Sequence, residues 1–117
     1  MPMRRYAMVA VAAAAGAAAV GAAGAGAATP RWAQVAPILT TKCASCHVQG
    51  GLAPFPLRTY AQAKARAVLI AAAVGSGAMP PWMPGADSPR FIGQDQRTLT
   101  AAERTALLDW VKGGANR

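Results

Sequence analysis

Apolar positions along this chain fall into four blocks, set apart by glycine and proline. The first block, residues 7–20, is continuous, uncharged and rich in alanine and valine; Arg4 and Arg5 precede it, and Ala25-Gly26-Ala27 follows it. A charged start, an apolar middle and a small-x-small end predict a secretory signal peptide over residues 1–28, leaving 29–117 as one small domain. Alanine and glycine bury little apolar area, so cleavage is expected rather than retention as a membrane anchor. In the second block, Pro37 suits the opening turn of a helix that carries Ile38 and Leu39 into Cys43–His47, with Trp32 and Val35 just upstream covering its end. Gly50-Gly51 ends this segment, and Leu52-Ala53-Pro54-Phe55-Pro56-Leu57 follows as an extended, proline-stiffened apolar loop.

The third block opens on Thr59-Tyr60-Ala61-Gln62, a capping-box pattern, and continues as a helix to about Val74. Val68, Leu69 and Ala72 are its expected inner stripe, and Gly75-Ser76-Gly77 stops it. Ala78-Met79-Pro80-Pro81-Trp82-Met83-Pro84 then reads as a rigid loop, and residues 85–98 as an irregular polar stretch. The last block starts at a second capping box, Thr100-Ala101-Ala102-Glu103, and runs to Lys112 with Leu107, Trp110 and Val111 facing the first helix. No repeat and no pair of strands is visible. The expected class is all-α, with about three main helices.

The chemistry is concentrated in Cys43-Ala44-Ser45-Cys46-His47, which uses both cysteines and the single histidine of the chain. This spacing is the attachment signature of c-type haem. Two thiols three residues apart lie on neighbouring faces of one helical turn, where each can add across one vinyl group. The histidine that follows can then reach the iron. Three other readings compete poorly. Structural zinc needs four ligands, and the chain offers three cysteine or histidine side chains. A redox dithiol follows a strand in a βαβ unit, and no strand pattern precedes Cys43. A disulfide closing four residues within a helix has poor geometry.

The second axial ligand cannot be a histidine of this chain. A methionine, a lysine or an open site remains. Met1, Met3 and Met8 depart with the leader, which leaves Met79 and Met83, both in the proline-clamped loop. Met79 is preferred, because it follows a glycine-terminated helix and precedes two prolines that redirect the chain. The competing role for either methionine is apolar filler. Trp82, Arg58, Arg90 and Arg97 are candidates to hydrogen-bond or neutralise the haem propionates.

Helix, CxxCH, loop, helix, Met-Pro loop and a closing aromatic helix together resemble the class I cytochrome c fold. Val35-Ala36-Pro37-Ile38-Leu39, Cys43 to His47, Gly51 to Leu57, Met79-Pro80-Pro81-Trp82 and Trp110-Val111 are similar to a bacterial mono-haem subfamily. Its members often occur as haem domains joined to larger oxidoreductases. The resemblance covers nearly all of residues 29–117. It implies a small cytochrome c fold around one covalently bound haem, with Met79 as distal ligand. It also implies that the carbonyl of Pro54 or Pro56 accepts a hydrogen bond from His47. The departure is that residues 29–117 are expected to form a single domain, so no fused partner within them points to the electron donor or acceptor.

Charge adds a constraint on partners. The chain carries twelve basic and four acidic residues, a formal net charge of +8. Without Arg4 and Arg5 the balance is ten against four, or +6. The basic residues are scattered, which describes a solvated surface and no nucleic-acid interface. They suit steering toward redox proteins with acidic docking surfaces. Membrane contact is expected only through a retained leader or a membrane redox partner. The expected function is that of an exported, periplasmic mono-haem carrier cycling between Fe(II) and Fe(III), with His47 and Met79 as iron ligands and no enzymatic activity of its own. Two alternatives stand: a haem subunit of a larger oxidoreductase complex, and a five-coordinate haem sensor or peroxidase-like protein.

Overall fold

The computed structural model describes residues 26–81, 85 and 87–117. The expected leader therefore falls outside the described residues except for its last three positions, as do Trp82 and Met83. The described chain is all-α: α1 spans Trp32–Lys42, α2 Tyr60–Ala65, α3 Ala67–Ser76, α4 Gln94–Arg97 and α5 Ala101–Lys112. Among the described residues there is no strand, and no helix is long and apolar enough to cross a membrane.

Helix α1 begins five residues before the expected start at Pro37. The reason is tertiary. Asn116, in the C-terminal tail, accepts a hydrogen bond from the Trp32 backbone N–H at 3.0 Å. The Trp32 ring packs edge-on against Tyr60 and tilted against Trp110, with centroids 5.7 and 6.1 Å away. Arg31 is the extended N-cap, and its own N–H donates to the Gln34 side chain at 2.8 Å. Trp32 and Val35 are thus part of the helix and not a cover for its end. Pro37 sits inside it, where its cost is one missing hydrogen bond to the turn before.

The helix expected from Thr59 to about Val74 is divided at Arg66, whose φ of −112° and ψ of 9° interrupt the α-helical path. Thr59 still caps the first piece, accepting from the Gln62 N–H. The interruption resets the helical phase, so Ala67, Ile70 and Val74 face inward in place of the expected stripe. Val68 is 78% exposed. Leu69 and Ala72 line a cavity instead of the helical core. Gly77 closes α3 in the left-handed conformation, with φ of 81°, that glycine adopts at a helix C-terminus.

Helix α5 packs on α3 and on α1, and its Thr100–Glu103 capping box forms as expected. Leu107 and Trp110 are fully buried with Val35 and Leu39 of α1, while Val111 is partly buried against this cluster. Trp110 Nε1 donates to the Asn116 carbonyl at 2.9 Å, so one carbonyl in the tail serves both Trp110 and Trp32. These contacts fix α1 at its N-terminal end. Its C-terminal end is left to deliver Cys43–His47 to the other side of the core.

Candidate functional site

Past Lys42 the chain keeps turning without continuing the regular helix. Cys43 N–H donates to the Leu39 carbonyl at 3.0 Å, Cys46 N–H to Cys43 at 3.1 Å and His47 N–H to Cys43 at 2.9 Å. The loop that follows is tied back at two points: Ala53 N–H donates to Cys46 O at 3.2 Å and Leu57 N–H to His47 O at 2.9 Å. This pairing folds residues 48–57 over the CxxCH turn. Cys43, Cys46 and His47 thereby line one cavity of about 670 Å³, together with Met79 and the apolar residues Leu39 and Ile70. That volume lies within the roughly 300–1,000 Å³ of sites that bury most of a ligand.

His47 is 8% exposed, and its Nδ1 lies 2.9 Å from the carbonyl oxygen of Phe55. A carbonyl only accepts, so Nδ1 carries the proton and Nε2 of the neutral ring keeps its lone pair. Holding one nitrogen in this way fixes ring orientation and raises the basicity of the other, the usual arrangement for a metal-ligating histidine. The acceptor is thus neither Pro54 nor Pro56 but the residue between them. The hydrogen bond from Leu57 N–H to His47 O sets this register, placing the Phe55 carbonyl two residues back beside the ring. Pro54 instead lines the cavity. The Phe55 ring also stacks near the imidazole, with centroids 4.9 Å apart and planes inclined by 42°.

Both cysteines carry free thiols. Burial, with a smaller contribution from the charge of Cys46, pushes the Cys43 thiol up to about 11. Thiols that work in redox exchange have lowered values, so this environment is the reverse of a thioredoxin-type pair. Among the described residues no three His, Cys, Asp or Glu side chains converge as ligands for a metal ion.

Met79 is held by its N–H, which donates to the Ala73 carbonyl at 3.1 Å, and its side chain is 40% exposed at the cavity wall. The structure thus brings Met79 together with Cys43, Cys46 and His47. Trp82 and Met83 lie outside the described residues. Of the arginines expected at propionates, none lines the cavity, and Arg90 is paired with Asp95 at 2.9 Å. The charged side chain that does reach the wall is Lys42. Its ammonium is turned away to the Asp95 carbonyl and lies 3.5 Å from the Glu103 carboxylate, which leaves the interior apolar. No motif in the sequence singles out Lys42, and Phe55 is distinguished there only by the prolines on either side of it.

The walls suit a large, flat, apolar group. Two thiols, one imidazole nitrogen with a free lone pair and one thioether suit a group that carries both covalent attachment points and a metal. A scan against protein-family models finds none that matches, and searches of curated proteins and of solved structures return no significant match.

Proposed function

We propose that this chain is an exported mono-haem c-type cytochrome that carries one electron at a time. The observation that carries the reading is the meeting of Cys43, Cys46, His47 and Met79 at a single apolar cavity. When bound, the haem supplies a reversible one-electron change at its iron. Every other part of the mechanism belongs to the protein.

Cys43 and Cys46 would hold the group through its two vinyl substituents, sulfur going to one carbon and the thiol hydrogen to the other, so attachment would consume no oxidant. His47 would ligate the metal through Nε2, while Phe55 holds the proton on Nδ1. Met79 would ligate it through the thioether, a choice that favours the reduced state relative to a second histidine. With His47 and Met79 both committed as ligands, no position would be left for a substrate, which favours outer-sphere transfer over catalysis. The apolar walls disfavour ordered water beside the group. Exposed Leu52 and Leu69 at the cavity edge, with the basic surface, suit a partner that is apolar at its centre and acidic around it. The charged, apolar and small-residue order of residues 1–28 supports export to the periplasm, where such attachment is made.

The test is an absorption spectrum of the protein matured in a periplasm, oxidised and reduced, with carbon monoxide added to the reduced form. A c-type spectrum indifferent to carbon monoxide is expected. Rapid carbon monoxide binding would replace the carrier reading with that of an open-site sensor or catalyst. A protein lacking covalent haem would remove the reading altogether.

A further inference from the structure

Arg66 has no place in the site as read from the sequence, and its backbone breaks the helix between α2 and α3. That break aims its side chain. The guanidinium carbon lies 4.8 Å from the centroid of the Phe55 ring. Phe55 in turn touches His47 twice, through the carbonyl that accepts from Nδ1 at 2.9 Å and through the ring, 4.9 Å from the imidazole. A fixed positive charge is therefore joined to the proximal histidine through a single residue.

We infer that Arg66 is a positioning residue that sets the reduction potential of the centre through Phe55 and His47, an inference that rests on the carrier reading. Two effects act, and they oppose each other. A held Nδ1–H···O=C bond makes Nε2 more basic and by itself favours the oxidised state, and the charge is expected to outweigh this positioning. The cation holds the Phe55 ring by a cation–π contact, of about 0.5–1 kcal/mol at an exposed site, and with it the carbonyl that orients the imidazole. The same positive charge, near a ligand of the metal, opposes the gain of positive charge on oxidation and so favours the reduced state. Among the described residues no ion pair neutralises it: Asp95 is paired with Arg90, and Glu103 with Lys42. Arg66 is exposed, so the electrostatic part is screened by salt.

The experiment is redox titration of the haem-loaded protein and its Arg66→Gln and Arg66→Lys variants, at low and at high salt. At low salt Arg66→Gln is expected to shift the ratio of reduced to oxidised protein about threefold toward oxidised, or about 28 mV at 59 mV per tenfold for one electron. Arg66→Lys restores most of this, and high salt narrows the difference. An Arg66→Gln midpoint equal to the parent's at low salt overturns the inference. So does an equal shift in the glutamine and lysine variants, which would mark the role as shape without charge. A parent protein that shows no c-type spectrum overturns the carrier reading itself, whereas a haem-loaded parent with an unmoved Arg66→Gln midpoint overturns this inference alone.

Discussion

No side chain fits on Gly51, because the space its Cβ would take is held by the carbonyl oxygen of Cys46, with Val48 Cγ1 at 2.8 Å. That carbonyl is the one that accepts from Ala53 and ties the loop to the CxxCH turn. Gly51→Ala is expected to lever the loop away, loosening the Phe55 carbonyl from His47. Backbone is the obstacle, so the strain has no flexible side chain to absorb it. A loss of about 1–3 kcal/mol in urea unfolding is expected, in the upper part of ordinary single substitutions. Stability within about 0.5 kcal/mol of the parent would mean that the loop has room the structure does not show.

Local signals in this chain were easy to read, and phase was not. Two capping boxes and the glycine stop at Gly77 formed where the residues placed them, because each is decided within four or five residues. The stripe Val68-Leu69-Ala72 failed because nothing near Arg66 in sequence announces a break; the register of α3 is chosen by its packing on α5. The start of α1 failed for a related reason. Pro37 looks like a first turn until Asn116, far along the chain, supplies the acceptor that lets the helix begin at Trp32. The candidate site followed the same rule. Cys43, Cys46 and His47 were visible as one motif, whereas the acceptor for His47 depended on how residues 48–57 fold back.

Trp110 is expected to be the most sensitive core position. It is fully buried and donates through Nε1 to the Asn116 carbonyl that also caps α1 at Trp32. Trp110→Ala should cost about 3–5 kcal/mol, the range for deleting a large buried aromatic. Trp110→Phe keeps most of the volume and removes one donor from a carbonyl that retains Trp32, so about 1–2 kcal/mol is expected. Thermal or urea unfolding of the two variants separates volume from hydrogen bonding. Equal losses would show that the Asn116 contact, not the filled space, sets the cost.

The Cys43 thiol gives a pH signature in the chain with free thiols. Its value rises from 9.0 to about 11 on folding, through burial first and the charge of Cys46 second. The folded state therefore holds the proton longer than the unfolded chain. The contribution to stability is complete below pH 9.0 and is lost as pH climbs through about 11. At pH 8 the two-unit rise leaves about a hundredfold less thiolate than in the unfolded chain, since each unit is tenfold. Alkylation of Cys43, followed by mass spectrometry, should be slowed by about that factor in buffer relative to denaturant, because the thiolate is the nucleophile. Equal rates in buffer and denaturant would show that the turn does not bury Cys43.

Met79 and Met83 stand in one proline-rich stretch of the sequence, and Met79, the one among the described residues, lies at the cavity wall. Its backbone is anchored to Ala73 of α3 at 3.1 Å, so the thioether is carried by a helix and not by the loop alone. A ligand that must hold its distance through a change of oxidation state needs such an anchor. Met79→Ala is therefore expected to let the reduced, haem-loaded protein bind carbon monoxide, and to lower its reduction potential because the thioether that favours the reduced state is gone. Met83→Ala is expected to leave both properties as in the parent. The opposite pattern would transfer the ligand to Met83. Carbon monoxide binding in the parent itself would mean that neither methionine holds the metal, and that the apolar cavity serves a centre open on one face.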